Sequence, residues 1–238
     1  MKKSIVAAAL TLAFAAPAMA QEKAASPHTF AGNVTLATDY AFRGISQTNE
    51  KPAIQGGFDY SHASGFYLGI WGSNVSWLAD LGGGISSSVE LDVYGGYKGA
   101  ISEDLGYDVG LLAYRYPGTY PTGFTDADTV ELYGALTWKM LTLKYSRATT
   151  DLFGVPDSDG SGYLELNASF DLGDGWSATA HVGKQRVKNL SAADYSDWKI
   201  GVAKALPVGT LGLAYTDTDI DGSKIADGRL ILTYGATF

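Results

Sequence analysis

Thirteen ionisable residues stand at alternate positions within otherwise apolar stretches. The carboxylates are Asp39, Asp59, Glu90, Asp92, Asp108, Glu131, Glu165 and Asp197, and the bases are Lys98, Lys144, Lys199, Arg229 and Arg43. Eight acids and five bases on one side of a sheet make a poor dry core, because an unpaired buried charge costs several kcal/mol. They suit a wet lumen, whose low-dielectric wall focuses the excess negative charge on the axis and enriches cations there. The preference should be weak, since the bases pair with neighbouring acids and physiological salt shortens the field to ~8 Å.

Other chemistry is thin. "DTDIDG" places Asp217, Asp219 and Asp221 at alternate positions before Gly222, like the first half of a calcium loop. The twelfth position is Gly228 where such a loop carries a bidentate Glu, so the calcium candidate has half its ligand set and solvated loop acids are the plainer reading. "PDSDGSG", with Asp157 and Asp159, is a poorer version. No Cys is present, which removes thiol nucleophiles and thiolate metal sites. His28, His62 and His181 all lie away from the long loops, and none stands outward beside a Ser as a nucleophile–base pair needs. "LGGG" at 81–84 lacks the Lys-Ser/Thr of a phosphate cradle. Neither catalysis nor any cofactor beyond the candidate calcium is expected.

The elements that carry these residues are strands. "SVELDVYGGYK" sets Val89, Leu91 and Val93 against Glu90, Asp92 and Tyr94, an alternation of period two. Eleven other segments repeat the pattern, from Asn33–Phe42 through "RLILTYGATF" at the end. Most approach the ~9–11 residues of a tilted membrane-spanning strand. A soluble barrel would put its polar phase outside and its apolar phase within; here Asp, Glu, Lys and Arg are too many for a dry interior. "MKKSIVAAALTLAFAAPAMA" has the basic start, short apolar run and Ala-Met-Ala exit of a secretory signal. Residues 1–20 are read as that signal, 21–32 as a short periplasmic segment and 33–238 as the barrel. Without Lys2 and Lys3, fifteen basic residues face 25 acidic ones, which argues against nucleic acid as a partner.

Connections alternate between short and long. "ASG", "GAISED", "KM", "LGDG" and "LPVG" alternate with longer loops such as "RGISQTNEKP" and "DTDIDGSKIADG". Outer-membrane barrels segregate their loops this way, with periplasmic turns and long external loops. The reading is therefore an all-β, closed antiparallel up-and-down transmembrane barrel of about twelve strands. The last strand is expected to close on the first, leaving no free edge. Tyr60, Phe66, Tyr97, Tyr107, Trp138, Phe170, Trp176 and Phe238 form one expected aromatic belt beside the turns; Tyr40, Phe42, Trp198 and Tyr215 form the other. A terminal Phe238 after alternating apolar residues resembles the end that outer-membrane insertion machinery recognises.

From Asp39 to Val75 the sequence "DYAFRGISQTNEKPAIQGGFDYSHASGFYLGIWGSNV" resembles the TorF family of proteobacterial outer-membrane porins, through "YAFRGISQ" and "QGGFDY". The resemblance extends through the barrel to Phe238 and implies twelve strands and a pore, with no substrate or site. The expected function is passive diffusion of small hydrophilic solutes or ions across the Gram-negative outer membrane. The alternative is a non-conducting structural or surface-binding barrel filled by side chains. Gly57, Gly69, Gly96, Gly110, Gly183 and Gly201 in the inward phase favour a narrow wet channel. Tyr67, Trp71, Tyr94, Tyr114 and Tyr133, also inward, either narrow it or line a solute track.

Overall fold

The computed structural model describes residues 26–238. The signal-sequence expectation for 1–20 lies outside them, as do residues 21–25 of the expected leader segment. Twelve antiparallel strands close into one barrel: β1 (His28–Ala37), β4 (Ala53–His62), β5 (Phe66–Asn74), β6 (Val89–Ala100), β7 (Leu105–Arg115), β8 (Thr129–Trp138), β9 (Leu141–Ala148), β10 (Gly162–Gly173), β11 (Trp176–Arg186), β12 (Tyr195–Ala205), β13 (Thr210–Thr218) and β14 (Arg229–Thr237). Each pairs with its sequence neighbours, and β14 pairs with β1 from Asn33↔Thr237 to Ala37↔Thr233. Backbone bonds from Gly32 to Phe238 and back, 2.8 and 2.9 Å long, extend that seam by one residue. Closure satisfies every edge, the condition for strands to cross hydrocarbon.

The phase is as the alternation required. Along β6, Val89, Leu91 and Val93 are exposed while Glu90 and Asp92 are buried. The same holds for Leu68 and Ile70, Leu164 and Leu166, Ile200 and Val202, and Leu230 and Leu232. Such a belt of exposed aliphatics is untenable in water and natural in lipid. Phe66, Tyr97, Trp138, Phe170, Trp176 and Phe238 are exposed at the turn end. The connections 63–65, 101–104, 139–140, 174–175 and 206–209 are short, and 38–52, 75–88, 116–128, 149–161, 187–194 and 219–228 are long. Asp174 and Gly175 both have positive φ, 50° and 76°, the primed turn that matches strand twist in a two-residue hairpin.

Two expectations need correction. The barrel expected from residue 33 begins at His28, which pairs with His62, so residues 28–32 belong to the wall. The first strand expected over 33–42 stops at Ala37. Alternation continues past it, but the pairing does not: Thr38 keeps one backbone bond, to Leu232 at 3.0 Å, and beyond it the chain folds inward. Ala41–Phe42 (β2) and Ile45–Ser46 (β3) form a separate two-stranded hairpin inside the long-loop mouth. Tyr40 and Phe42 are therefore not part of an outer belt. They pack on an apolar cluster made by the long loops and the strand ends, with Val75, Leu78, Ile85, Leu112, Tyr114, Tyr116 and Tyr133 buried in it. The short helix α1 (Trp77–Asp80) lies there too, its Trp77 ring 5.5 Å from Tyr116.

Candidate functional site

The hairpin β2–β3 turns on Arg43 and Gly44, with φ of 46° and 82°. Register Phe42↔Ile45 makes these the two loop residues of a primed turn. Gly44 is needed: a Cβ there would stand 2.8 Å from that of Asp197, on β12. Arginine is a poor choice at a left-handed position, at a cost of ~1–2 kcal/mol. Its side chain accounts for it. Arg43 Nη2 donates to both oxygens of Glu131 at 2.8 and 2.9 Å, and Nη1 donates to Gln185 Oε1 at 2.8 Å. The guanidinium carbon lies 4.2 Å from the Tyr163 ring centre. Burial works against the charge, but Glu131 outweighs it and lifts the guanidinium above its ordinary range.

The root of the hairpin is pinned on the opposite side of the ring of strands. Asp39 accepts from Ser46 Oγ at 2.6 Å and Thr48 Oγ1 at 2.8 Å, and pairs with Arg229 at 3.3 Å. Tyr40 donates to Glu90 at 2.9 Å, Tyr116 to the same carboxylate at 3.0 Å. The loop after β1 thus reaches across the lumen to β8, β10 and β11, which the barrel order places far from β1. A crossbar spans the long-loop mouth. Beneath it Glu90 and Asp92 are 1% and 7% exposed, so these two carboxylates face no open path with the hairpin seated. Asp92 Oδ1 has no hydrogen-bond partner among the described residues.

Toward the short-turn end the lumen stays polar and more open. Asp59 and Asp108 are half-buried and Lys98 is exposed, its Nζ 5.3 Å from the Tyr67 ring centre. Lys144 pairs with Glu165 at 3.8 Å and sits over Tyr133, and Lys199 is half-buried at mid-height. Nearer the mouth, His181 Nε2 donates to Asp197 Oδ1 at 2.9 Å, and Tyr163 donates to Oδ2 at 2.7 Å. Three of the inward glycines do not widen the bore directly. Gly69 faces Tyr94, Gly96 faces Tyr67 and Gly110 faces Tyr133 across the strands, and each tyrosine occupies the space that a Cβ on its glycine would take. The phenols then reach along the wall: Tyr94 to Asp59 at 2.5 Å, Tyr67 to Asp108 at 2.5 Å, and Tyr133 to Tyr67. These tyrosines fill the space above their glycines and bond one another and the wall carboxylates.

A sequence model of the bacterial family Gcw_chp, described as a bacterial protein of unknown function, matches residues 21–236. The chain belongs to that family. No curated protein matches this Gcw_chp sequence. Among solved structures it is similar to the KdgM porin in complex with disordered oligogalacturonate, at 7% identity and TM-score 0.55, over 88% of this chain and 98% of that one. The NanC porin gives 12% identity and TM-score 0.55, over 87% and 98%. At such identities the likeness is one of fold: this Gcw_chp chain is a closed barrel built like those porins.

Of the inward residues expected from sequence, all thirteen lie on the lumen side or in the loop that enters it. The structure joins Arg43 to Glu131, Asp39 to Arg229 and Lys144 to Glu165. It does not gather Asp217, Asp219 and Asp221. Asp217 accepts from the Thr218 amide and Asp219 from the Ser196 amide, and no group of three metal-ligating side chains occurs among the described residues. Sequence reasoning missed Gln185 and Tyr163, which complete the Arg43 contact. Both stand in the inward phase of their strands, but an uncharged inward residue carries no mark of its partner.

Proposed function

We propose that this chain is an outer-membrane channel through which small hydrophilic solutes diffuse, weakly favouring cations, with a long-loop mouth narrowed by its first loop. The observation that carries the reading is the ionisable, half-accessible lumen of the short-turn half inside a complete lipid-facing belt. A purely structural barrel has no need to keep Asp59, Asp108 and Lys98 in contact with water. The loop-length asymmetry supports a crossbar on the outer side and both strand termini in the periplasm. The resemblance to TorF porins and the secretory-type pattern of residues 1–20 support the same location. Single-channel recording of the purified barrel in planar bilayers tests the proposal: discrete small conductance steps are expected, with a reversal potential in a salt gradient of cationic sign. Silence from the wild type and from a variant lacking residues 41–46 would refute it.

The burial of the mouth favours a second reading, a sealed barrel whose long loops bind something outside. Silence of both proteins, with normal folding, is the result that selects it.

A further inference from the structure

The groups that hold Arg43 are held in turn by the barrel wall, not by Arg43. Gln185 Nε2 donates to the carbonyls of Gly162 and Arg186 at 3.2 and 3.1 Å, which aims its Oε1 into the lumen. Tyr114 donates to Glu131 Oε2 at 3.3 Å. Tyr163 is fixed by its hydroxyl to Asp197. A carboxylate, an amide oxygen and a flat ring, each nine-tenths buried or more, converge on one planar cation from three strands. Withdrawing the hairpin would leave that arrangement standing, with a buried carboxylate short of its counter-ion.

We propose that this wall cluster is a binding site for small guanidinium-bearing cations, and that Arg43 is its tethered occupant. The class follows from the chemistry: two hydrogen-bond acceptors set at the two ends of a planar cation, and a ring face beside it. An ammonium ion fits less well, having no plane to lay on Tyr163. Free solute enters by displacing the hairpin tip, and the acidic outer loops with Asp157, Asp159, Asp219 and Asp221 raise its local concentration. The solute class deepens the channel reading and rests on it for transport, but the binding site itself does not.

The test uses the full-length barrel carrying Arg43→Asn, because asparagine suits the left-handed turn and is too short to reach Glu131. Ethylguanidinium chloride is titrated into folded barrel in micelles by calorimetry, against potassium chloride and tetramethylammonium chloride at equal ionic strength. Saturable binding of ethylguanidinium alone is expected, weakened by about tenfold or more when Glu131→Gln is added, as for a lost charge-assisted hydrogen bond. Wild type, whose site is filled, should show weaker binding than Arg43→Asn. In bilayers, Arg43→Asn should conduct more than wild type, and ethylguanidinium should bring it back. Binding without conductance in any variant keeps the site and defeats the channel. No saturable binding to Arg43→Asn, or binding indifferent to Glu131→Gln, overturns the site whatever the conductance. Arg43→Lys, which keeps a charge on the tip but loses the plane, gives a second background for the same titration if the asparagine barrel does not assemble.

Discussion

Gly69→Ala adds one methyl group to the lumen face of β5, directly under the Tyr94 ring. The backbone there is ordinary extended chain, so alanine adopts it, and the restricted unfolded state by itself would stabilise by ~0.4–1 kcal/mol. The added Cβ, however, would collide with Cε2, Cζ and the hydroxyl of Tyr94, its three nearest atoms. The ring must lift, and its hydroxyl then leaves the Asp59 carboxylate that it reaches at 2.5 Å. A hydrogen bond to a charged group contributes ~1.5–3 kcal/mol, so the net loss should be about 1–2 kcal/mol. Urea unfolding of the micelle-bound barrel, followed by tryptophan emission, measures it. In a Tyr94→Ala background the same Gly69→Ala change should be neutral or slightly stabilising, since no ring remains to lift. A wild-type-like Gly69→Ala barrel, or an equal loss in both backgrounds, would refute the idea that inward glycines exist to seat tyrosines. Lifting the ring also moves it toward the axis, so a conducting barrel should lose conductance in step.

Cysteine at Thr122 or Ala192, both exposed in long loops, should react with an impermeant thiol reagent on intact cells while cysteine at Ala63 should not; the reverse pattern would invert the topology. Deleting Phe238 removes the two Gly32 backbone bonds and the edge contact with Phe58, 6.3 Å between ring centres, and should cut heat-modifiable membrane-inserted protein far more than Thr237→Ser does. Replacing Asp59 and Asp108 together by Asn should shift the reversal potential in a salt gradient toward anions, whereas Glu90→Gln with Asp92→Asn should shift it only when Arg43→Asn has opened the mouth. A shift from the Glu90/Asp92 pair in the otherwise wild-type channel would show that the crossbar does not cover them.

Much of this protein is written in its alternation. Period two over β6, where Glu90 and Asp92 interrupt three aliphatic residues, fixes which face meets lipid, because a slip of one residue would put both carboxylates into hydrocarbon. The same logic, repeated along the chain with loops of two lengths, determined the barrel, its strand count and the inward set. Alternation does not say where pairing ends, and so the sequence placed Tyr40 and Phe42 on the outside. Pairing is a matter between strands: Ala37 is the last residue of β1 with partners on both sides, at Ala53 and Thr233. Past it, the turn at Arg43 and Gly44 and the ring of contacts around Asp39 decide the path. Residues as distant in sequence as Arg43, Glu131, Tyr163 and Gln185 meet only because closure brings β8, β10 and β11 opposite the loop after β1. Nor does period two tell a glycine that opens a lumen from one that carries a tyrosine. That depends on the cross-strand register, which sets Gly69 against Tyr94 and Gly110 against Tyr133, and register exists only in the closed sheet.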